Sequence, residues 1–248
     1  MIHLDKTTDT ILRGKITITQ MKHGYRYGFD AVCLAAFVNG YLRKNKKDLS
    51  LADVGSGVGT ISLILALKNK NLKISSIENN KEFIEIAKEN ILKNKFHNII
   101  KTVNYDIFNI NKNLKNHFDI VVSNPPFNNK NSNKSNNKFI DVAKRIVDLE
   151  KWMEGCVYLL KEKGTLCIIL PTNILDVVLV SLRHKAGSFK IYPIWPNTKK
   201  SSKRVILLAK KGGNTPTELL PGLTLYNRKG VESKKASLLS EEGILNFY

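Results

Sequence analysis

An α/β fold with a doubly wound, mostly parallel sheet is what this sequence predicts, and three observations predict it. Apolar runs of strand length alternate with helix-length segments from residue 50 to residue 186, the pattern of βαβ units covered on both sheet faces. The first of these runs, "LADV", passes through "GSGVG" straight into a helical segment, a strand–turn–helix junction. The last two strand-like runs, 188–194 and 203–210, lie only about nine residues apart. That is too short for a helical crossover, so they should close the sheet with an antiparallel edge hairpin.

Taken in order, residues 10–20, "TILRGKITITQ", alternate apolar and polar about a Gly and predict a short β-hairpin. The Gly- and aromatic-rich connection "MKHGYRYGFD" leads into a buried helix over 30–42, with Asp30 as its expected N-cap. Strands follow over 50–55, 73–78, 99–104 and 118–123, with helices over 59–69 and 81–94. A polar, low-complexity loop at 128–138 precedes a helix over 139–160, a strand over 165–170 and a helix over 173–186. The expected organisation is an N-terminal hairpin and helix (1–48), a core (49–211) and a C-terminal extension (212–248) on its outside.

Composition narrows the function. The chain has 248 residues, 42% hydrophobic and 25% charged, as in an ordinary globular protein. No apolar run reaches membrane-spanning length and the N-terminus has no signal-peptide core, so a cytoplasmic protein is expected. Cys33, Cys156 and Cys167 have no paired spacing for zinc or a disulfide and read as buried reduced thiols; no metal is expected. The net charge of +19 points to a polyanionic partner, nucleic acid first. Only seven of the cations are arginine, a bias that AT-rich coding also produces.

Three acids stand after three successive strands. Asp53 directly precedes Gly55, Gly57 and Gly59, whose spacing is Gly-x-Gly-x-Gly and not that of dinucleotide sites. An acid at that mouth repels a pyrophosphate and attracts an ammonium group. Glu78, nineteen residues beyond Gly59, is placed to accept from a ribose diol, and Asp106 from an adenine amino group. The set fits S-adenosylmethionine, with Asp53 towards its amino-acid end. After the fourth strand comes "SNPPF": Asn124, Pro125, Pro126 and Phe127. An Asn oxygen and a backbone carbonyl can each accept one N–H of an amino group, aiming its lone pair at the methyl donor. The prolines hold those carbonyls rigid, and Phe127 offers a face to a planar base.

"DVGSGVG", "SIENN", "YDIF" and "SNPPF" resemble the consecutive motifs of class I S-adenosylmethionine-dependent methyltransferases over roughly residues 50–210. That likeness implies a Rossmann-like seven-stranded sheet with an antiparallel final strand, and Asn-Pro-Pro-Phe implies methylation of an amino nitrogen. The segment "QMKHGYRYGFDAVCLAAFV" and the tail "SSKRVILLAKKGGNTPTELLPGLTLYN" further resemble the bacterial tRNA(Val) adenine N6-methyltransferases. By that resemblance Gln20, Tyr25, Arg26, Tyr27, Gly28 and Asp30 close over cofactor or base, and Arg204 reaches the RNA backbone. Lys130, Lys134 and Lys138 of the polar loop are expected on phosphates. Adenine-modifying relatives often carry Tyr where this chain has Phe127. Guanine N2 methylation of ribosomal RNA, glutamine methylation of a protein, and RNA binding without catalysis therefore stand as alternatives.

Overall fold

The computed structural model describes residues 5–23, 26–43, 47–109, 112–126, 138–227 and 229–245, with the side chains of 138–147 outside the description. The chain opens with a hairpin, β1 (Lys6–Ile11) and β2 (Ile16–Met21), paired antiparallel from Lys6↔Met21 to Ile11↔Ile16. Then come α1 (Phe29–Leu42), β3 (Leu49–Val54), α2 (Thr60–Lys68), β4 (Leu72–Glu78), α3 (Lys81–Lys93), β5 (Ile100–Asn104) and β6 (Phe118–Ser123). The second half holds α4 (Lys138–Leu159), β7 (Leu160–Pro171), α5 (Leu175–Leu182), β8 (Ala186–Asn197), β9 (Arg204–Lys211), β10 (Glu218–Leu219), β11 (Leu223–Tyr226) and α6 (Lys234–Glu242).

The main sheet runs β10-β8-β9-β7-β6-β3-β4-β5, with β11 also on β8. Strands β3 to β7 are parallel, and β9 is antiparallel to both β7 and β8. The expected seven strands and edge hairpin are present, and β10 and β11 add two short strands from the tail outside β8. The order of the strands reverses between β3 and β6, so their carboxyl ends open a crevice, the usual ligand position in such sheets.

Apolar side chains cover both faces. One core gathers α1, α2, the hairpin and α6 around residues such as Phe37, Leu51, Ile64 and Leu239; the other lies under α4 and α5 around Val121, Met153, Leu166 and Val178. Helix α1 is buried on nearly every side from Ala31 to Val38, which explains its lack of a polar stripe. The cap of α1 is a correction. The helix starts at Phe29 after Gly28, and Asp30 sits within the first turn, where its carboxylate accepts from Arg204 Nε at 2.7 Å. A partner from the far end of the chain outcompeted the local cap. The three cysteines are free and buried; burial pushes the Cys33 and Cys156 thiols up and that of Cys167 up to about 12.

The hairpin is fastened by side-chain amides. Asn90 of α3 accepts from Thr19 N at 2.7 Å, and its Nδ2 donates to Thr19 O at 2.8 Å and to Val58 O at 3.0 Å. Asn94 repeats the pairing with Thr17, accepting at 3.0 Å and donating at 2.7 Å. Two asparagines thus take up the open backbone edge of β2, as a neighbouring strand would. Asn90 also ties that edge to the glycine loop.

Candidate active site

The glycine loop begins where β3 ends. Gly55 has φ +71°, a conformation that favours glycine, and a Cβ there would stand 3.0 Å from the Trp152 ring. The N–H groups of Gly55 and Ser56 both donate to Ile77 O, which pulls the loop towards β4. Gly59 caps α2, whose first turn bears Thr60. Tyr27, Gly55, Gly57 and Asn124, together with Ser56, Val58, Thr60, Ala31 and Ile61, line an open cleft. Four residues expected from three separate motifs therefore meet in one place.

Beneath the loop, Asp53 is fully buried. Its Oδ2 accepts from Ser62 N at 3.1 Å and Ser62 Oγ at 2.7 Å, while Oδ1 has no hydrogen-bond partner among the described residues. Burial pushes its carboxyl up to about 7, the Ser62 bonds pull it down, and the charge of Glu78 adds to the rise. The native state therefore binds a proton more tightly than the unfolded chain, where an aspartate titrates near ~3.9. Stability from this group is complete below that value and is lost as pH rises through about 7. In Asp53→Asn the loss should vanish. Thermal melts from pH 4 to 8 are expected to be flatter, with the variant gaining on the wild type towards pH 8 by on the order of 4 kcal/mol, roughly 10 °C. A parallel fall in both proteins contradicts the assignment.

Glu78 is held differently. Oε2 accepts from Gly57 N at 2.9 Å, and Oε1 accepts from the N–H of Asn79 at 2.9 Å and of Asn80 at 3.0 Å. The carboxylate is fixed in position between the loop and the start of α3. Asp106 accepts from Phe108 N at 3.0 Å and Asn109 Nδ2 at 3.1 Å, so it shapes the turn after β5.

At the end of β6, Asn124 is half-buried on the cleft, Pro125 is buried and Pro126 exposed. Ser123 Oγ donates to Val54 O at 2.9 Å and accepts from Trp152 Nε1 at 3.0 Å. Trp152 stands edge-on to Phe108 with centroids 5.7 Å apart and touches the position of any Gly55 side chain. One indole on α4 thus braces the glycine loop, the turn after β5 and the strand end that carries Asn124. The motifs gave no sign of it. Its only signal was a rare, bulky residue on the expected helix 139–160.

Trp152→Phe keeps a ring against Gly55 and removes the donor to Ser123. A net hydrogen bond of about 1 kcal/mol predicts a roughly fivefold fall in kcat with a smaller change in cofactor affinity. Single-turnover rates test this, and the loss of any cofactor-induced fluorescence change, with Trp195 the remaining tryptophan, checks that Trp152 borders the site.

The connection after β2 is clamped to the hairpin. Gln20 Oε1 accepts from Tyr27 N at 3.3 Å and its Nε2 donates to Asp9 at 2.6 Å; Arg26 pairs with Asp9 at 2.8 Å and donates to Thr7 and Met21 O. Tyr27 is thereby held on the cleft; burial and the nearby Asp9 charge raise its phenol pKa. Arg26 is turned into the hairpin and Arg204 into Asp30, so both guanidinium groups have protein partners. Tyr25, Phe127, Lys130 and Lys134 lie outside the described residues, as does the side chain of Lys138.

The donor set suits a cationic nucleoside. Asp53 Oδ1 and Thr60 Oγ1 are buried polar atoms without partners among the described residues, Thr60 borders the cleft, and Glu78 presents a fixed carboxylate. The family model described as methyltransferase small domain matches residues 36–174. The tRNA1(Val) (adenine(37)-N6)-methyltransferase of Flavobacterium psychrophilum is 28% identical over 182 residues, covering 73% of this chain and 74% of the relative. The protein of the same name from Bacteroides thetaiotaomicron is 27% identical over 231 residues, 92% of this chain and 87% of the relative. Among solved structures, a predicted O-methyltransferase from Agrobacterium tumefaciens aligns with TM-score 0.72 at 18% identity, over 88% of this chain and 98% of its own. That likeness speaks for the fold alone. With the family model matched over more than half of the chain, the chain belongs to the methyltransferase small domain family and is an S-adenosylmethionine-dependent methyltransferase.

Proposed function

We propose that this enzyme methylates the exocyclic N6 of an adenine in RNA, next to the anticodon of a tRNA. The observation that carries the proposal is that Asn124, followed by the two prolines, lines the same cleft as Gly55 and Gly57. The relatives named above, which match most of this chain, support the choice of tRNA and adenine, as does the net charge of +19.

When bound, S-adenosylmethionine supplies a methyl group on an electrophilic sulfonium. In the proposed site Asp53 and Thr60 offer acceptors at the amino-acid end, Glu78 holds the ribose hydroxyls and Asp106 turns towards the adenine. Asn124 Oδ1 and the Pro125 carbonyl each accept one N–H of the target amino group, which localises a lone pair otherwise shared with the ring. Catalysis is then orientation and electrostatics. The nitrogen gains its methyl and passes a proton to water, so no strong general base is needed. Tyr27 and Phe127 flank the base, and the loop lysines follow the backbone.

The test is incubation with labelled S-adenosylmethionine and separate pools of unmodified tRNA and ribosomal RNA, then digestion and mass identification of the labelled nucleoside. N6-methyladenosine from tRNA is the expected result. N2-methylguanosine from ribosomal RNA, or label in protein alone, overturns the reading.

A further inference from the structure

The sheet rim beyond Asn124 carries an ordered basic surface that the chemistry above does not use. β9 runs antiparallel to β7 with Arg204 opposite Pro171, so the β8–β9 turn shares the rim of the strand ends that carry the site. β11 runs parallel to β8 with Tyr226 opposite Asn197, which brings the end of the C-terminal strand to the same rim. At about 4.8 Å per strand, this shelf extends from roughly 10 to roughly 20 Å past Asn124.

An asparagine shapes each of its two turns. Asn197 Oδ1 accepts from the N–H of Lys199 at 3.0 Å and of Lys200 at 3.1 Å. Asn227 Oδ1 accepts from the N–H of Lys229 at 2.9 Å and of Val231 at 3.1 Å. Ser202 Oγ bonds Ile194 O at 2.9 Å and Arg204 O at 2.7 Å, which fixes the far side of the first turn. Lys199, Lys200, Lys203 and Lys229 are all exposed, and none forms an ion pair among the described residues. Tyr226, at the end of the strand between the two turns, is 46% exposed. Glu232, bridged to Tyr226, is the acid that accompanies them.

Resting on the reading of RNA as the substrate, we propose that this shelf is a docking surface for the RNA strand flanking the target nucleotide. The four lysines lie on its phosphates and Tyr226 stacks on an unpaired base. Free cations on turns of fixed shape suit a polyanion that must run past Asn124. Contacts of this kind set register and affinity without reading sequence. Arg204, engaged with Asp30, holds the turn against α1 instead of supplying charge.

The experiment compares wild type with a variant carrying Lys199→Gln, Lys200→Gln, Lys203→Gln and Lys229→Gln. A charge-matched control carries Lys73→Gln, Lys95→Gln, Lys101→Gln and Lys163→Gln, exposed positions at the opposite ends of the strands. Binding of an unmodified tRNA transcript is measured from about 50 to about 200 mM salt, alongside S-adenosylmethionine affinity. The shelf variant is expected to bind tRNA roughly 10–100-fold more weakly, with a log–log salt slope shallower by about 3, and to keep its cofactor affinity. Tyr226→Ala should lose roughly tenfold with the slope intact. Equal losses in the shelf variant and the control, or wild-type affinity in the shelf variant, overturn the shelf alone. A wild type that binds the cofactor but no RNA overturns the substrate reading, and the shelf with it.

Discussion

Asn124→Ala is expected to lower kcat by roughly 10²–10³-fold while S-adenosylmethionine affinity changes no more than about twofold. The reason lies in what Asn124 touches and what it does not. It borders the cleft from β6, whereas the loop that would cradle the cofactor comes from β3 and is anchored through Ile77 and Glu78. Removing the carboxamide leaves that anchorage whole and deletes the acceptor proposed for the target N–H, a contact that would strengthen as the nitrogen attacks. The split is read by single-turnover kinetics beside calorimetric titration of the cofactor. Equal loss in both quantities assigns Asn124 to binding, and unchanged turnover removes it from catalysis. Asn124→Asp is the companion variant, since its carboxylate can still accept the N–H; partial rescue relative to Ala supports the acceptor role, and no rescue at all contradicts it.

Glu78→Ala should show the opposite split, with cofactor affinity falling about 10²-fold or more and the rate at saturation much less affected. Three backbone N–H groups converge on this carboxylate, from Gly57, Asn79 and Asn80. Hydrogen bonds to a charged acceptor are worth about 1.5–3 kcal/mol each when partners are lost. Glu78 is half-buried, so water can reclaim part of that, and about two of the three bonds count towards the loss. The expected loss has two sources, the ribose contact proposed for Glu78 and the posture of the glycine loop. Glu78→Gln separates them. One amide oxygen can still accept from Gly57 or from the start of α3, so the loop is partly kept while the charge disappears. A Gln variant close to wild type places the importance in the loop; one close to Ala places it in the carboxylate.

Much of the candidate site was legible because its signals are local. The strand–glycine–helix junction, the acid at the end of β4 and the prolines after β6 each announce themselves within a few residues. Parallel topology then obliges those strand ends to share one rim. The contacts that fix the geometry were not legible, since they join distant positions. Arg204 and Asp30 are 174 residues apart, and Asn90 and Thr19 are 71 apart. Trp152 meets Gly55 and Ser123 only once α4 has packed under the sheet. Asp30 shows how this misleads. By local rules an Asp before an apolar run is a cap, and nothing nearby in the sequence discloses the arginine that claims it. Asp53 is a milder case, its acid plain in the motif and its burial visible only in the fold.

The stitching of β2 to α3 bears on where this protein can be cut. The segment shared with the wider family starts at residue 36, partway along α1. A fragment trimmed to that boundary loses β2, and with it the strand whose backbone satisfies Asn90 and Asn94. Asn90 is left with Val58 as its bond to the glycine loop, and the trimmed chain lacks Tyr27 over the cleft. The inherited module and the working unit are therefore different lengths of chain. An engineer grafting this candidate site onto another scaffold should carry the hairpin along, because through Asn90 it is the outer wall against which the glycine loop is levelled.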